Sequence, residues 1–210
     1  MKTYLFDFDG TLVDSVPTFA STMLRILDEN HMSYGDDIIK ILTPLGLEGT
    51  ADYLLGMGLP MKKDDLMHRI GEYMIDAYWY HIPAKKNVIP VLQELKAQGH
   101  SLNILTASPH LTLDRCLRRL QMFDFFDNVW SCDDFATTKA DPNIYHMVAE
   151  RLNTPIGDIL FLDDNLNADM TAKVAGMQVC GVYDESSKDY VEEMKEVTDN
   201  YIYDFIELLK

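Results

Sequence analysis

The sequence predicts an α/β protein whose core is a doubly wound parallel sheet. Short apolar runs, each about as long as a buried strand, recur along the chain, and helical patterns separate most of them. The predicted strands are 4–8, 102–105, 128–131, 159–162 and 178–182. The predicted helices between the later strands are 86–98, 142–152 and 168–175. Strands that alternate with helices in this way are typical of a doubly wound α/β sheet.

The helix predicted at 86–98 illustrates the pattern. Its apolar residues Val88, Val91, Leu92 and Leu95 repeat at helical spacing, and Gly99 follows as a stop signal. One face of this helix is therefore expected to pack on the sheet.

A helical insertion is predicted between the first strand and the helix from residue 86. About seventy residues without a convincing strand are too many for a single crossover connection. Glycine and proline separate the candidate helices, which are 17–29, 36–42, 49–55 and 63–80. We therefore expect a core made of 1–15 and 84–210, and an α-helical cap subdomain at 16–83.

Composition limits the partners of the protein. The net charge of −16 argues against a nucleic-acid partner, because phosphate backbones are held by clustered Lys and Arg. The three cysteines are widely spaced, which suggests neither a disulfide framework nor a zinc site. Cysteines of this kind suit a reducing compartment, so we expect a cytoplasmic protein, as a monomer or weak homodimer. No apolar run reaches the length of a membrane span, so no membrane partner is expected.

The strongest chemical signal follows the first predicted strand. Asp7 and Asp9 stand there with Gly10 and Thr11 at fixed spacing. A turn at Gly10 would bring both carboxylates to the crevice beyond the strand's carboxyl end, where open α/β sheets bind ligands. An acidic loop at a strand end is the structural alternative, and the added glycine and threonine disfavour it.

Residues 6–11, with Leu12, Val13, Asp14 and Ser15 after them, resemble the first motif of the haloacid dehalogenase superfamily. Three further motifs match in the same order: Thr106 ends a strand, Lys139 stands before a helix, and Asp163 and Asp164 end a later strand. The resemblance covers essentially the whole chain. It implies a Rossmann-like core with a helical cap, similar to the phosphoglycolate phosphatase-like branch.

The resemblance also implies catalytic roles. Asp7 would be the nucleophile that forms an aspartyl phosphate, and Asp9 the general acid and base. Thr106 and Lys139 would bind the phosphate.

A magnesium ion is the implied cofactor, because clustered carboxylates alone would repel a phosphate. Its expected ligands are the carboxylates of Asp7, Asp163 and Asp164 and the main-chain carbonyl of Asp9. Asp169 either braces this set from outside or is an ordinary acid at a helix N-terminus.

The chain departs from the family pattern at two places. Ala107 stands where asparagine often follows the threonine, so a phosphate contact there falls to backbone N–H groups or to Ser108. Ala140 and Asp141 separate Lys139 from the proline that commonly follows the lysine directly.

These features predict a phosphatase acting on a small phosphorylated metabolite, with the leaving group chosen by cap residues such as the 43–49 loop. A phosphosugar mutase would use the same four motifs and remains open. A receiver-type signalling module is disfavoured, because it places its acidic pair first in the chain and has no cap. A catalytically silent binding protein on the same fold is a further alternative.

Overall fold

The structure is a computed structural model that describes residues 1–42 and 45–210. Its chain divides into two compact units, Met1–Asp14 with Ile82–Lys210, and Ser15–His81. The boundaries predicted from the sequence lie at 15/16 and 83/84. Within the predicted 43–49 loop, Thr43 and Pro44 lie outside the described residues.

The larger unit contains a six-stranded parallel sheet in the order β3-β2-β1-β4-β5-β6. This is the doubly wound order, so the predicted fold class is confirmed. The strands are β1 (Thr3–Phe6), β2 (Ser101–Thr106), β3 (Asn128–Ser131), β4 (Ile159–Asp163), β5 (Gln178–Val182) and β6 (Asn200–Ile202). Strand β6 was not predicted from the sequence.

The first strand is shorter than predicted. It ends at Phe6 because the chain turns immediately afterwards, where the N–H groups of Leu12 and Val13 both donate to the Phe8 carbonyl at 2.9 and 3.0 Å. The turn places residues 8–13 beyond the carboxyl end of the strand instead of continuing the ladder.

The regular secondary structure in the described part of the smaller unit is helical. Its helices are α1 (Val16–Glu29), α2 (Ile38–Leu42), α3 (Gly46–Gly56) and α4 (Lys63–Tyr80). Met23, Ile26 and Leu27 of α1 repeat at helical spacing and are fully buried. They pack in one hydrophobic core with buried side chains of the other three helices, such as Leu42, Leu54, Leu66 and Ile70.

The remaining helices connect the strands of the larger unit. They are α5 (Val88–Ala97), α6 (His110–Arg119), α7 (Asn143–Arg151), α8 (Leu166–Ala175) and α9 (Val191–Val197). Helix α6 was not predicted, although Leu113, Cys116 and Leu117 give it a buried face with helical spacing. No helix in the described part of the chain is long and apolar enough to cross a membrane.

Side chains alternate between the two faces of the sheet. On one face, Leu5 and Phe161 share a core with Tyr145 of α7 and Ala172 of α8. On the other, the Phe6 ring packs against aromatic rings outside the sheet, with centroids 6.2 Å from Phe126 and from Phe205. Because every strand is parallel, the carboxyl ends of β1, β2 and β4 meet at one edge, which positions the polar residues that follow them.

Candidate active site

The turn after β1 positions the first two acids. The Asp7 N–H donates to the Leu162 carbonyl at 2.8 Å, which extends the contact with β4 by one residue. Gly10 then takes a left-handed conformation with φ +74°, and its N–H donates to the Val13 carbonyl at 3.0 Å. A Cβ on Gly10 would lie 2.4 Å from Asp164 Oδ2, so only glycine allows the turn and the carboxylate to come this close.

Lys139 joins two strand ends. Its Nζ donates to Asp7 Oδ1 and to Asp163 Oδ2, each at 2.6 Å, and all three side chains are largely buried. The Tyr145 hydroxyl donates to the Lys139 carbonyl at 3.1 Å and helps to fix the loop before α7. A lysine from the loop after β3 therefore bridges acids that follow β1 and end β4.

The paired acids at the end of β4 point to different partners. Asp163 Oδ1 accepts the Asn165 N–H at 2.8 Å, whereas Asp164 Oδ1 accepts the Thr11 hydroxyl at 3.0 Å. The Asn165 side chain also caps α8 by accepting the N–H groups of Asn167 and Ala168. These bonds hold both carboxylates at the start of α8.

The Asp9 carboxylate accepts a hydrogen bond from the segment that follows β2. The Ser108 hydroxyl donates to Asp9 Oδ2, and the Ser108 N–H donates to Thr106 Oγ1 at 3.1 Å. In this structure the Ser108 hydroxyl therefore donates to Asp9 and the Ser108 N–H to Thr106, which leaves the N–H of Ala107, a lining residue of the cleft, as the candidate backbone donor for a phosphate.

A polar cleft of about 340 Å³ brings most of the predicted site residues together. Its lining includes Asp7, Asp9, Thr106, Ala107, Lys139, Asp163 and Asp164. Ser108 and Asp169 are not among its lining residues. Segments far apart in the chain thus form one cleft at the carboxyl edge of the sheet.

Comparison with known proteins decides the family. A family model described as haloacid dehalogenase-like hydrolase matches residues 4–182. The chain belongs to this family. The resemblance found in the sequence motifs is thereby confirmed over residues 4–182.

The relatives of this hydrolase include named phosphatases. It is 25% identical to a phosphorylated carbohydrates phosphatase of Thermotoga maritima, covering 85% of this chain and 83% of the relative. It is 28% identical to a phosphoglycolate phosphatase of Colwellia psychrerythraea, covering 99% and 95% of the two chains. A solved structure of a candidate β-phosphoglucomutase from Thermotoga maritima has a TM-score of 0.86 at 22% identity, covering 100% and 98%, and it shows the shared fold.

The acids of this hydrolase fit a divalent cation. One carboxylate oxygen from each of Asp7, Asp163 and Asp164 lies within 4.8 Å of the others, and all three residues are buried. Burial raises the pKa of Asp7 to about 7 although Lys139 opposes the shift. Burial, with Asp163 and Asp7 adding to it, also raises the pKa of Asp164 well above its usual value. Three buried carboxylates carry more negative charge than the single nearby lysine can balance. Oxygen ligands of this kind suit Mg²⁺.

Asp169 occupies the first turn of α8 and is completely buried. Neither of its carboxylate oxygens has a hydrogen-bond partner among the described residues. Burial, and secondarily the charges of Asp163 and Asp164, raise the pKa of Asp169 to about 9. The residue is therefore a buried acid at the N-terminal end of α8 that does not line the cleft.

Two residues that hold the site were not predicted from the sequence. Thr11 belongs to the first motif, but nothing in its spacing pointed to Asp164, which is far away in the chain. Asn165 could have been recognised, because asparagine immediately before a helical pattern is a common N-cap.

Proposed function

We propose that this hydrolase is a magnesium-dependent phosphatase that acts on a small phosphorylated metabolite. The convergence of Asp7, Thr106, Lys139, Asp163 and Asp164 in one cleft carries the proposal. A carboxylate nucleophile, a hydroxyl donor, an ammonium group and metal-binding acids are the groups that phosphoryl transfer needs.

Transfer of the phosphoryl group to the protein is the first step. An Asp7 carboxylate oxygen attacks phosphorus, a new P–O bond forms, and the bond to the ester oxygen breaks. Asp9 gives its proton to the departing oxygen, so the leaving group departs as an alcohol. The product on the protein is an aspartyl phosphate.

Hydrolysis of the aspartyl phosphate is the second step. Asp9, now ionised, takes a proton from water as the water oxygen attacks phosphorus, and the P–O bond to Asp7 breaks. Thr106, the N–H of Ala107 and Lys139 donate to the phosphoryl oxygens in both steps. Inorganic phosphate leaves and Asp7 is restored.

The carboxylates of Asp7, Asp163 and Asp164 and the carbonyl of Asp9 would hold Mg²⁺. When bound, the ion neutralises charge on the phosphoryl oxygens, which otherwise face a cluster of acids. Lys139 adds a fixed positive charge between Asp7 and Asp163.

The proposed substrate class rests on the size of the cleft and on the relatives. A cleft of about 340 Å³ has room for a small ester, and the relatives named above are phosphatases of phosphorylated carbohydrates and of phosphoglycolate. A cytoplasmic location is part of the proposal, supported by three buried cysteines that are free thiols. The cap role of 16–83 and the monomeric or weakly dimeric state stay predictions.

Replacing the nucleophile is the first test. Asp7→Asn keeps the size of the side chain but removes the attacking anion, so we expect phosphatase turnover to fall at least about a thousandfold. Asp158→Asn is the matched control, because Asp158 is exposed and precedes β4. Turnover of p-nitrophenyl phosphate and circular dichroism would be measured for both. More than a few per cent of wild-type activity in the Asp7 variant would exclude the covalent mechanism.

A second test separates the acid from the nucleophile. Asp9→Asn should slow alkyl phosphate esters about a hundredfold or more, yet spare aryl esters whose leaving group needs little protonation. Equal losses on both substrate types would contradict the assigned role of Asp9.

Metal dependence and product analysis complete the tests. Activity should require Mg²⁺ and be suppressed by Ca²⁺, whose larger and looser coordination shell misplaces the nucleophile. Undiminished activity after chelation would contradict the metal site.

Release of inorganic phosphate identifies a phosphatase, whereas an isomeric phosphosugar without phosphate release would identify a mutase.

A further inference from the structure

Lys85 lies against the active-site turn, and the proposed chemistry does not use it. Its Nζ donates to the Gly10 carbonyl at 2.6 Å, to the Tyr183 carbonyl at 2.7 Å and to Asp184 Oδ2 at 2.9 Å. The lysine side chain is only 19% exposed. An ammonium group has three N–H donors, and these three acceptors use all of them.

The acceptors are themselves held in place. Asp184 is buried, and its other oxygen accepts both the N–H and the hydroxyl of Ser186, at 2.9 and 2.6 Å. Burial alone would raise the pKa of Asp184, but the bonds from Ser186 and Lys85 outweigh it and lower the pKa below its usual value. The carboxylate is thus a fixed acceptor that orients the lysine.

The backbone of Lys85 is also anchored beside the turn. Its N–H donates to the Leu12 carbonyl at 3.0 Å, and the Asp14 N–H donates to the Pro83 carbonyl at 3.0 Å. Val13 and Ala84 form an antiparallel bridge between these contacts. Lys85 therefore follows directly after the residue that pairs with Val13. Its side chain reaches back to the Gly10 carbonyl in the turn.

Gly10 is the point at which this contact could affect chemistry. The Gly10 N–H and the Asp9 carbonyl, the proposed metal ligand, belong to the same peptide group. The Gly10 carbonyl accepts the hydrogen bond from Lys85. The left-handed Gly10 also lies directly against Asp164, where no Cβ would fit. A shift of Gly10 would therefore move the Asp9 carbonyl and disturb the direction of the Asp9 carboxyl.

We infer that Lys85 is a positioning residue, which holds the Asp9–Gly10 turn in its catalytic orientation and is itself oriented by Asp184. The inference rests on the proposed function, because it assigns the turn a role in protonating the leaving group. The ammonium–carbonyl bond is charge-assisted and largely shielded from water, so its loss leaves the glycine carbonyl without a strong partner.

The test compares Lys85→Met with Lys85→Arg and with the control Lys86→Met. The Lys86 side chain is 84% exposed and meets Asp204 at 3.3 Å, so its loss should leave kcat/KM within about twofold of wild type. Lys85→Met should lower kcat/KM about tenfold or more on an alkyl phosphate ester and only a few-fold on p-nitrophenyl phosphate. Lys85→Arg should recover most of the loss, because it keeps the charge and several donors.

The comparison of two substrates separates positioning from simple instability. A smaller folded fraction would lower the rate on both substrates equally, and such an equal loss would overturn the inference. If Lys85→Met does not fold, Asp184→Asn replaces it in the test. We then expect kcat/KM to fall more on the alkyl ester than on p-nitrophenyl phosphate.

Hydrogen exchange gives a readout that does not depend on turnover. In the absence of metal and substrate, the amides of Gly10, Leu12 and Val13 should exchange faster in Lys85→Met than in wild type. Their exchange rates in Lys86→Met should equal those of wild type. Unchanged exchange in Lys85→Met would overturn the inference. Failure of the wild-type protein to hydrolyse any ester would instead overturn the proposed function, and this exchange result would still decide whether Lys85 holds the turn.

Discussion

At the scale of single residues, the site contains more buried acid than its lysines neutralise by direct contact. Lys139 contacts Asp7 and Asp163, and Lys85 contacts Asp184. Asp169 is buried with no hydrogen bond from any described residue, and its pKa is raised to about 9. Keeping such a carboxyl in the interior costs stability at neutral pH, because it must take up a proton on folding.

Asp169→Asn should therefore change how stability depends on pH. An unfolded aspartate loses its proton near pH 4, and in the folded protein Asp169 loses it near 9, so between these values the free energy of unfolding falls as pH rises. The asparagine variant lacks this penalty. Without metal, we expect its melting temperature relative to wild type to be higher at pH 8 than at pH 5, by about ten degrees. A difference that is independent of pH would show that Asp169 does not titrate in this way.

At the scale of elements, strands β5 and β6 at the edge of the sheet pack so closely that one position leaves no room for a larger side chain. Gly181 of β5 lies opposite Tyr201 of β6, and a Cβ on Gly181 would stand 2.6 Å from Tyr201 Cδ2. The tyrosine ring therefore packs over the glycine backbone, and Asp169 Oδ2 lies 3.4 Å from the same Cβ position. Gly71, in the middle of α4, differs because nothing lies within 4 Å of where its Cβ would stand.

Matched glycine replacements should consequently have opposite effects. Gly181→Ala forces the Tyr201 ring away, and we expect a loss of about 1–3 kcal/mol in the free energy of unfolding. Gly71→Ala relieves the entropic cost of glycine in a helix and should add about 0.5–1 kcal/mol. Urea unfolding, with a probe for each unit, would measure both. Stabilisation by Gly181→Ala would show that the ring moves aside freely.

The elements also show why only part of the site could be predicted. Asp7, Thr106 and Asp163 stand at the ends of apolar strands, so the strand pattern together with the motif order of the family could place them at one edge of the sheet. Strand β6 has only three residues, too few for alternation to show. Lys85 meets Gly10 and Asp184 only after the chain has folded, and no local pattern distinguishes it from an ordinary surface lysine.

At the scale of the whole molecule, charge opposes compactness. The chain has 34 acidic and 18 basic side chains and a net charge of −16, so its charges repel one another on balance. Dissolved salt screens interactions between exposed charges with a length of about 10 Å at 0.1 M. Mutual repulsion should therefore weaken as ionic strength increases.

Added salt should accordingly stabilise the protein. We expect the melting temperature at pH 7, without divalent metal, to rise by a few degrees between about 0.02 and 0.5 M NaCl. KCl should act similarly, whereas a neutral osmolyte at matched osmolality should not reproduce the dependence on ionic strength. A decrease with NaCl would mean that attractive ion pairs outweigh the repulsion.

The position of β1 has a consequence for synthesis of the chain. This strand lies in the middle of the sheet, between β2 and β4, yet it precedes the whole helical unit and both of its neighbours in the sequence. On the ribosome, β1 emerges first and finds its second partner only after residue 163 has been made. The helices of 15–81 have their own core and can fold during that interval, which shortens the flexible span between β1 and β2. A nascent chain that has emerged from the ribosome as far as residue 81 should therefore contain a folded helical body joined to an exposed apolar strand, a form that invites chaperone binding.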